Sequence, residues 1–126
     1  MLTVRFETEL TDIYRALGVE GEPFGSNFVM YDEDKPVALW RMTIAREDEP
    51  VGIIESVRFL DCVDDDDRTF FLHAMFFKLK EAAPLKLRFE GERREYEKFG
   101  FKNVNGNMEI NSKDINLHYA CGGYRL

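Results

Sequence analysis

The sequence predicts a single α/β domain, more narrowly α+β, over residues 1–126, with one mixed sheet and helices on both of its faces. Three observations lead there. Phe28–Tyr31, Val37–Ile44 and Val51–Phe59 are strand-like segments joined by short polar turns, which is the pattern of an antiparallel meander. The apolar helical stretch Phe70–Lys80 separates Val51–Phe59 from a further strand at Leu85–Phe89, so the chain also contains a helix-crossed β-α-β step. Finally, 126 residues with 44% hydrophobic and 33% charged content suffice for one core and not for two.

Each element has its own local warrant. Leu2, Val4 and Phe6 alternate with Thr3 and Arg5, as on a half-buried strand. Leu10, Ile13, Tyr14 and Leu17 recur at helical spacing, with Thr8 or Thr11 as the expected cap and Gly18, Gly21 and Pro23 as stops. Residues 19–26 read as a loop. Asp32–Pro36 and Ala45–Pro50 are the meander's turns, and Val51–Phe59 is apolar enough for a central strand. In the helix at Phe70–Lys80, Leu72, Met75, Phe76 and Leu79 form one stripe. Phe70, Phe71, Ala74 and Phe77 widen it, which predicts protein on most sides. Ala82–Pro84 ends that helix. Glu92–Phe99 reads as a short helix closed by Gly100, and Phe101–Val104 as a strand. Asn105-Gly106 is a strong hairpin signal leading into Met108–Ile110. The segment 111–126 has no legible pattern.

Composition narrows the function classes. A net charge of −7 argues against nucleic acid or an anionic membrane as partner. No segment approaches the roughly 18–20 apolar residues of a membrane span. Met1–Asp12 has no basic start followed by an apolar run, so no secretory signal is expected. Cys62 and Cys121 lack metal or disulfide-framework spacing, which favours a reducing cytoplasm. No metal-ligand cluster, P-loop or Ser-His-Asp set is legible. His73 lies inside the apolar helix without a nucleophile or acid at readable spacing. His118 and Cys121 are too few for zinc, and Trp40 reads as core.

Several short stretches in the right order carry a resemblance. Phe28–Met42 looks like a central hairpin, Val51–Phe59 like a cleft-lining strand, and Tyr96-Glu97-Lys98-Phe99-Gly100-Phe101 like a Tyr-Glu-Lys-Leu-Gly-Phe motif. Together, over residues 28–104, they resemble the GNAT superfamily of acetyl-CoA-dependent N-acetyltransferases. The resemblance implies a cofactor site along Val57 and Phe59 and in the loop that follows. That loop normally reads Arg/Gln-x-x-Gly-x-Gly/Ala, and its glycines let backbone N–H groups close on the CoA pyrophosphate. Here the three motif positions are Asp64, Asp67 and Thr69, with Asp65 and Asp66 adding charge, so the loop is degenerate. Two like charges about 4–6 Å apart at an effective dielectric of about 20 repel by roughly 3–4 kcal/mol before screening. Three roles are open to the acidic run: a solvated helix start capped by Asp66 or Asp67, a metal site, or a docking patch for a basic partner. The first is the expectation, and no metal is expected. Cys62, beside these carboxylates, would have its thiolate disfavoured.

The resemblance also implies catalytic positions. Tyr96 aligns with the tyrosine that protonates departing CoA thiolate in many members, and Glu55 with a carboxylate that deprotonates the amine. With the CoA loop lost, the expected readings are Tyr96 as a packed aromatic with its hydroxyl at the rim and Glu55 as an exposed strand carboxylate. About twenty residues between Phe6 and Phe28 leave room for one short helix where the family usually spends two, so the acceptor wall is expected to be reduced. The functional expectation is a cytoplasmic acetyltransferase-like protein. Its acetyl-CoA binding would be weakened or lost, with no cofactor and a binding or regulatory role toward an unidentified small-molecule amine or protein. The alternatives are an active acetyl-CoA-dependent N-acetyltransferase and an interaction module using the acidic loop. Fold alone does not choose among them.

Overall fold

The computed structural model describes residues 1–117. Seven strands form one sheet: β1 (Leu2–Glu7), β2 (Ser26–Asp32), β3 (Lys35–Arg46), β4 (Pro50–Phe59), β5 (Lys86–Phe89), β6 (Lys102–Val104) and β7 (Asn107–Asn111). Their spatial order is β1-β2-β3-β4-β5-β7-β6. Every neighbouring pair is antiparallel except β4 and β5, which the long helix α2 (Asp65–Glu81) joins as a parallel pair. The short helix α1 (Thr11–Leu17) lies on the opposite face from α2. The mixed sheet with helices on both faces is the expected architecture, and the element order matches the expectation.

The α2 face is dry and aromatic. Trp40, Ile54, Phe71, Met75, Phe76, Leu87 and Phe89 are buried there, with Phe99 and Phe101 closing the end. Phe76 lies at the centre, edge-on to Trp40 at 5.3 Å and tilted against Phe99 at 4.6 Å between ring centroids. Each such side chain contributes on the order of 1.5–3 kcal/mol by burial, and ring geometry adds a little more. Gly52 is required by this packing, because a Cβ there would stand 2.9 Å from the Leu85 side chain. On the other face α1 covers only β2 and β3, where Leu10, Tyr14 and Leu17 meet Val29, Tyr31 and Leu39. Beyond α1 that face carries ion pairs instead: Arg88 grips Glu47 through both terminal nitrogens (2.8 and 3.1 Å) and Glu109 through Nε (2.9 Å).

Five expectations need correction. Neither Thr8 nor Thr11 caps α1: Leu10 occupies the cap position without a side-chain bond, because its burial decides where the helix begins. The long helix starts at Asp65, not Phe70, and Asp64 caps it rather than Asp66 or Asp67. The extended Asp64 accepts the Asp67 N–H at 2.8 Å, and its three acidic followers are at home at the positive dipole end. That helix is also less enclosed than its composition implies, since Phe70 and Phe77 are about half exposed (46% and 49%) on its outer side. The second short helix is a 3₁₀ segment, Arg94–Phe99. Tyr96 and Phe99 must both face the core, and a spacing of three suits three residues per turn.

The Asn105-Gly106 signal holds: both residues have positive φ (54° and 87°), and they join β6 to β7 as a tight hairpin. Within the unread segment, β7 runs on to Asn111 and a 3₁₀ turn spans Ser112–Asp114. His118 and Cys121 lie outside the described residues. Among the described residues, no helix is long and apolar enough to cross a membrane.

Candidate functional site

The two parallel strands part company halfway along. Their ladder runs from Val51–Lys86 to Ile54–Phe89 and stops, while β4 continues to Phe59. At the point of separation β4 bulges: Arg41 faces Ser56 and Met42 faces Ile54, which leaves Glu55 as the extra residue. A bulge bends its strand and re-aims its side chain. The split therefore opens beside Glu55, with α2 and its acidic terminus on one side and the α1 face on the other.

On the α2 side, Val57 and Phe59 point into the aromatic core. Val57 stands across from the buried Trp40, and Phe59 meets Phe71 edge-on at 5.8 Å. The chain then turns through Val63 N–H to the Leu60 carbonyl (3.0 Å) and enters α2. Asp64 takes the Asp67 N–H for itself, so one of the donors at this terminus is already spent. Arg68 folds back to donate Nε to the Val63 carbonyl at 2.9 Å and lies over the Phe59 ring. Asp64, Asp65 and Asp66 are exposed, while Asp67 and Thr69 are half-buried. Partial desolvation, followed by the charges of Asp64, Asp32 and Asp66, raises the Asp67 pKa. Among the described residues, no three His, Cys, Asp or Glu side chains are grouped to hold a metal.

Tyr96 is also on the α2 side. Its ring stacks flat on Phe89 (4.0 Å between centroids, 8° between planes), with Phe76, Phe99 and Phe101 around it. The side chain is 3% exposed, more enclosed than a rim position, and burial raises its pKa to about 12. Glu55 lies toward the other face, exposed, where its carboxylate accepts a hydrogen bond from Thr43 at 2.8 Å. Tyr96 and Glu55 thus flank the split from opposite faces. His73 is half-buried on α2, and burial lowers its pKa. Cys62 is exposed.

The face beside α1 holds residues that no motif signalled. Arg41 reaches up from β3, donating to the Tyr14 hydroxyl at 3.2 Å and lying over the Phe24 ring at 4.1 Å. Tyr14 in turn donates to the buried Asn27, whose amide ties down the Phe24 carbonyl. Arg58 on β4 donates Nε to the Leu17 carbonyl at the end of α1. In the sequence Arg41 sits between Trp40 and Met42 as an ordinary outward-facing strand residue. Only the register with β4 and the return of the loop before β2 give it company.

A V-shaped split between two parallel central strands, a bulge at the split and a helix N-terminus beside it belong to the GNAT-like N-acyltransferase fold. This chain has that fold. The solved structures it resembles include AtaTR bound with acetyl-CoA, at a TM-score of 0.67 and 10% sequence identity over 94% of this chain and 98% of that one. They also include Arabidopsis thaliana Naa50 in complex with the bisubstrate analogue CoA-Ac-MVNAL (TM-score 0.58, 10% identity, 87% and 96% covered). A mutant AtaT toxin bound to the C-terminus of the antitoxin AtaR matches with a TM-score of 0.59 and 8% identity over 99% of both chains. No family model matches the sequence, and no curated protein does. At these identities the likeness concerns the fold alone.

Proposed function

We propose that this chain is an acetyltransferase-like protein in which acetyl-CoA binding is weakened or lost, acting as a cytoplasmic binding or regulatory protein. One observation carries the reading: the α2 terminus caps itself through Asp64 and surrounds its remaining donors with carboxylates. A pyrophosphate needs free backbone N–H groups and a positive field. The residues present do not fit that group. Tyr96 supports the same reading, because a phenol packed between rings with a raised pKa is suited to holding a core together.

A second reading is an active N-acetyltransferase with an atypical cofactor loop. What favours it is the placement of Glu55 and Tyr96 on the two sides of the split, together with acetyl-CoA or a CoA analogue in two of the similar structures. Calorimetric titration at low salt separates the two. Acetyl-CoA is expected to bind no tighter than about millimolar, near −4 kcal/mol. A micromolar dissociation constant would overturn the first reading in favour of the second. The acidic loop as a docking patch for a basic protein would instead show as a partner retained at low salt and lost at moderate salt.

A further inference from the structure

The outward face of α2 is apolar along its middle and charged at both ends. Phe70 and Phe77 are about half exposed and stand seven residues apart, two turns along one face, with His73 and Ala74 between them. A helix this apolar calls for cover, yet among the described residues no element covers this stripe. The helix begins with Asp65, Asp66 and Asp67 and carries Lys78 and Lys80 in its last turn. Among the described residues none of these five makes an ion pair. Lys80 donates to the Ile115 carbonyl, and Lys78 lies over the Phe28 ring.

We infer that a second copy of this chain covers the stripe, with the two α2 helices antiparallel about a twofold axis at the level of His73. The charges favour this occupant. At about 100° per residue, Asp67 and Lys78 fall on one flank of the stripe, and Asp66 and Lys80 on the other. Three pairs, Phe70 with Phe77, Asp67 with Lys78 and Asp66 with Lys80, are all centred within about half a residue of His73. A twofold axis crossing the helix there keeps each flank on its own side and reverses its direction. It sets Phe70 against the partner's Phe77, Asp67 against the partner's Lys78 and Asp66 against the partner's Lys80, each twice. Antiparallel dipoles favour the same arrangement, whereas a parallel pair sets carboxylates against carboxylates. Ala74, beside the axis, lets the helices approach closely. Burial holds the His73 pKa below its ordinary value, which keeps the centre uncharged at neutral pH. Glu81 adds a like charge to this face, but as the last residue of α2 it lies where crossed helices have diverged. The 17 residues of α2 span about 25 Å. One such helix pair is a small contact beside the roughly 1,200 Å² of a lasting complex, so the dimer is expected to be transient.

The interface is on the outer face of α2 and stands whether or not acetyl-CoA binds in the split. Sedimentation of the full chain from about 10 μM to 1 mM, without any CoA, is expected to show a reversible monomer–dimer equilibrium. Phe77→Ser, at an exposed position, should weaken it at least roughly tenfold. Asp67→Lys and Lys78→Asp should each weaken self-association, because each variant then meets its own sign across the axis. A one-to-one mixture of the two should dimerise more strongly than either alone, since opposite charges face each other again. Should Asp67→Lys fail to fold, Asp66→Lys mixed with Lys80→Asp makes the same comparison. A chain that stays monomeric at 1 mM overturns the proposal, whether residues 118–126 or a different protein take the stripe instead. So does a dimer indifferent to Phe77→Ser, and so does a mixture that associates no more strongly than its two components. A separate acetyl-CoA titration decides the cofactor reading and leaves this one untouched.

Discussion

The two sides of the split between β4 and β5 treat charge in opposite ways. At the α2 terminus like charges are crowded together, and the chain satisfies its own donor there by capping with Asp64. On the α1 face charges of both signs are present and held apart, Arg41 by the Tyr14 hydroxyl and Glu55 by Thr43. The first arrangement is complete within the chain and repels an anion. The second mixes the two signs, with Arg41 and Arg58 beside Glu55. A shared fold therefore does not imply shared fates for its two sub-sites, because each depends on side chains that packing does not constrain.

The aromatic core on the α2 side backs the sheet that both sides share, and the largest expected effect comes from breaking it. Phe76 is fully buried and touches Trp40, Tyr96, Phe99 and Phe101. Phe76→Ala should destabilise by about 3–5 kcal/mol in urea unfolding at unchanged slope. A loss below about 1 kcal/mol would mean that the core is loosely packed and that neither sub-site is rigidly positioned.

Much of the scaffold was legible in the sequence because its signals are local. The alternation of Leu2, Val4 and Phe6, the Asn105-Gly106 turn and the 17–18 Leu-Gly stop each act within a few residues. The misreadings came where a distant partner decided the outcome. Leu10 starts α1 because Val29, Tyr31 and Leu39 bury it, and Phe70 and Phe77 stay half exposed because, among the described residues, no element covers that face of α2. The acidic run was visible as chemistry, but which aspartate caps depends on the backbone angle at Asp64. The surroundings of Arg41 were not legible, since its company comes from α1 and the loop before β2.

The contrast between the two sides can be reversed by rebuilding the acidic one. Asp64→Arg, Asp67→Gly and Thr69→Gly together restore the loop pattern that the resemblance implies and remove two negative charges. If the split is otherwise intact, acetyl-CoA affinity should rise at least tenfold, about 1.4 kcal/mol, and the gain should shrink as salt rises. No gain in a folded variant would locate the defect in the split itself. The single changes sharpen the point: Asp64→Ala should cost about 1 kcal/mol, while Asp65→Ala and Asp66→Ala stay within about half of that. Equal losses at all three would mean that the run acts as a unit rather than through one cap.

The smallest effect is also the most direct measure of crowding. The folded state holds the Asp67 proton more tightly than the unfolded chain does, so between the ordinary carboxylate pKa and the raised one it binds more protons. Stability must then fall as pH rises through that window, and at neutral pH the ionised Asp67 is a net cost. Asp67→Asn keeps the size and the backbone N–H that Asp64 caps, and removes only the charge. It is expected to raise the melting temperature at pH 7, with the gain vanishing below about pH 3, where the carboxyl is protonated in both states. The helix dipole pulls the other way, favouring a carboxylate in the first turn by about 0.3–1 kcal/mol. A lower melting temperature at pH 7 would mean that the dipole outweighs Asp64, Asp66 and Asp32 combined. The terminus would then be less hostile to an anion than its four carboxylates suggest, and the case against a bound pyrophosphate would rest on the Asp64 cap alone.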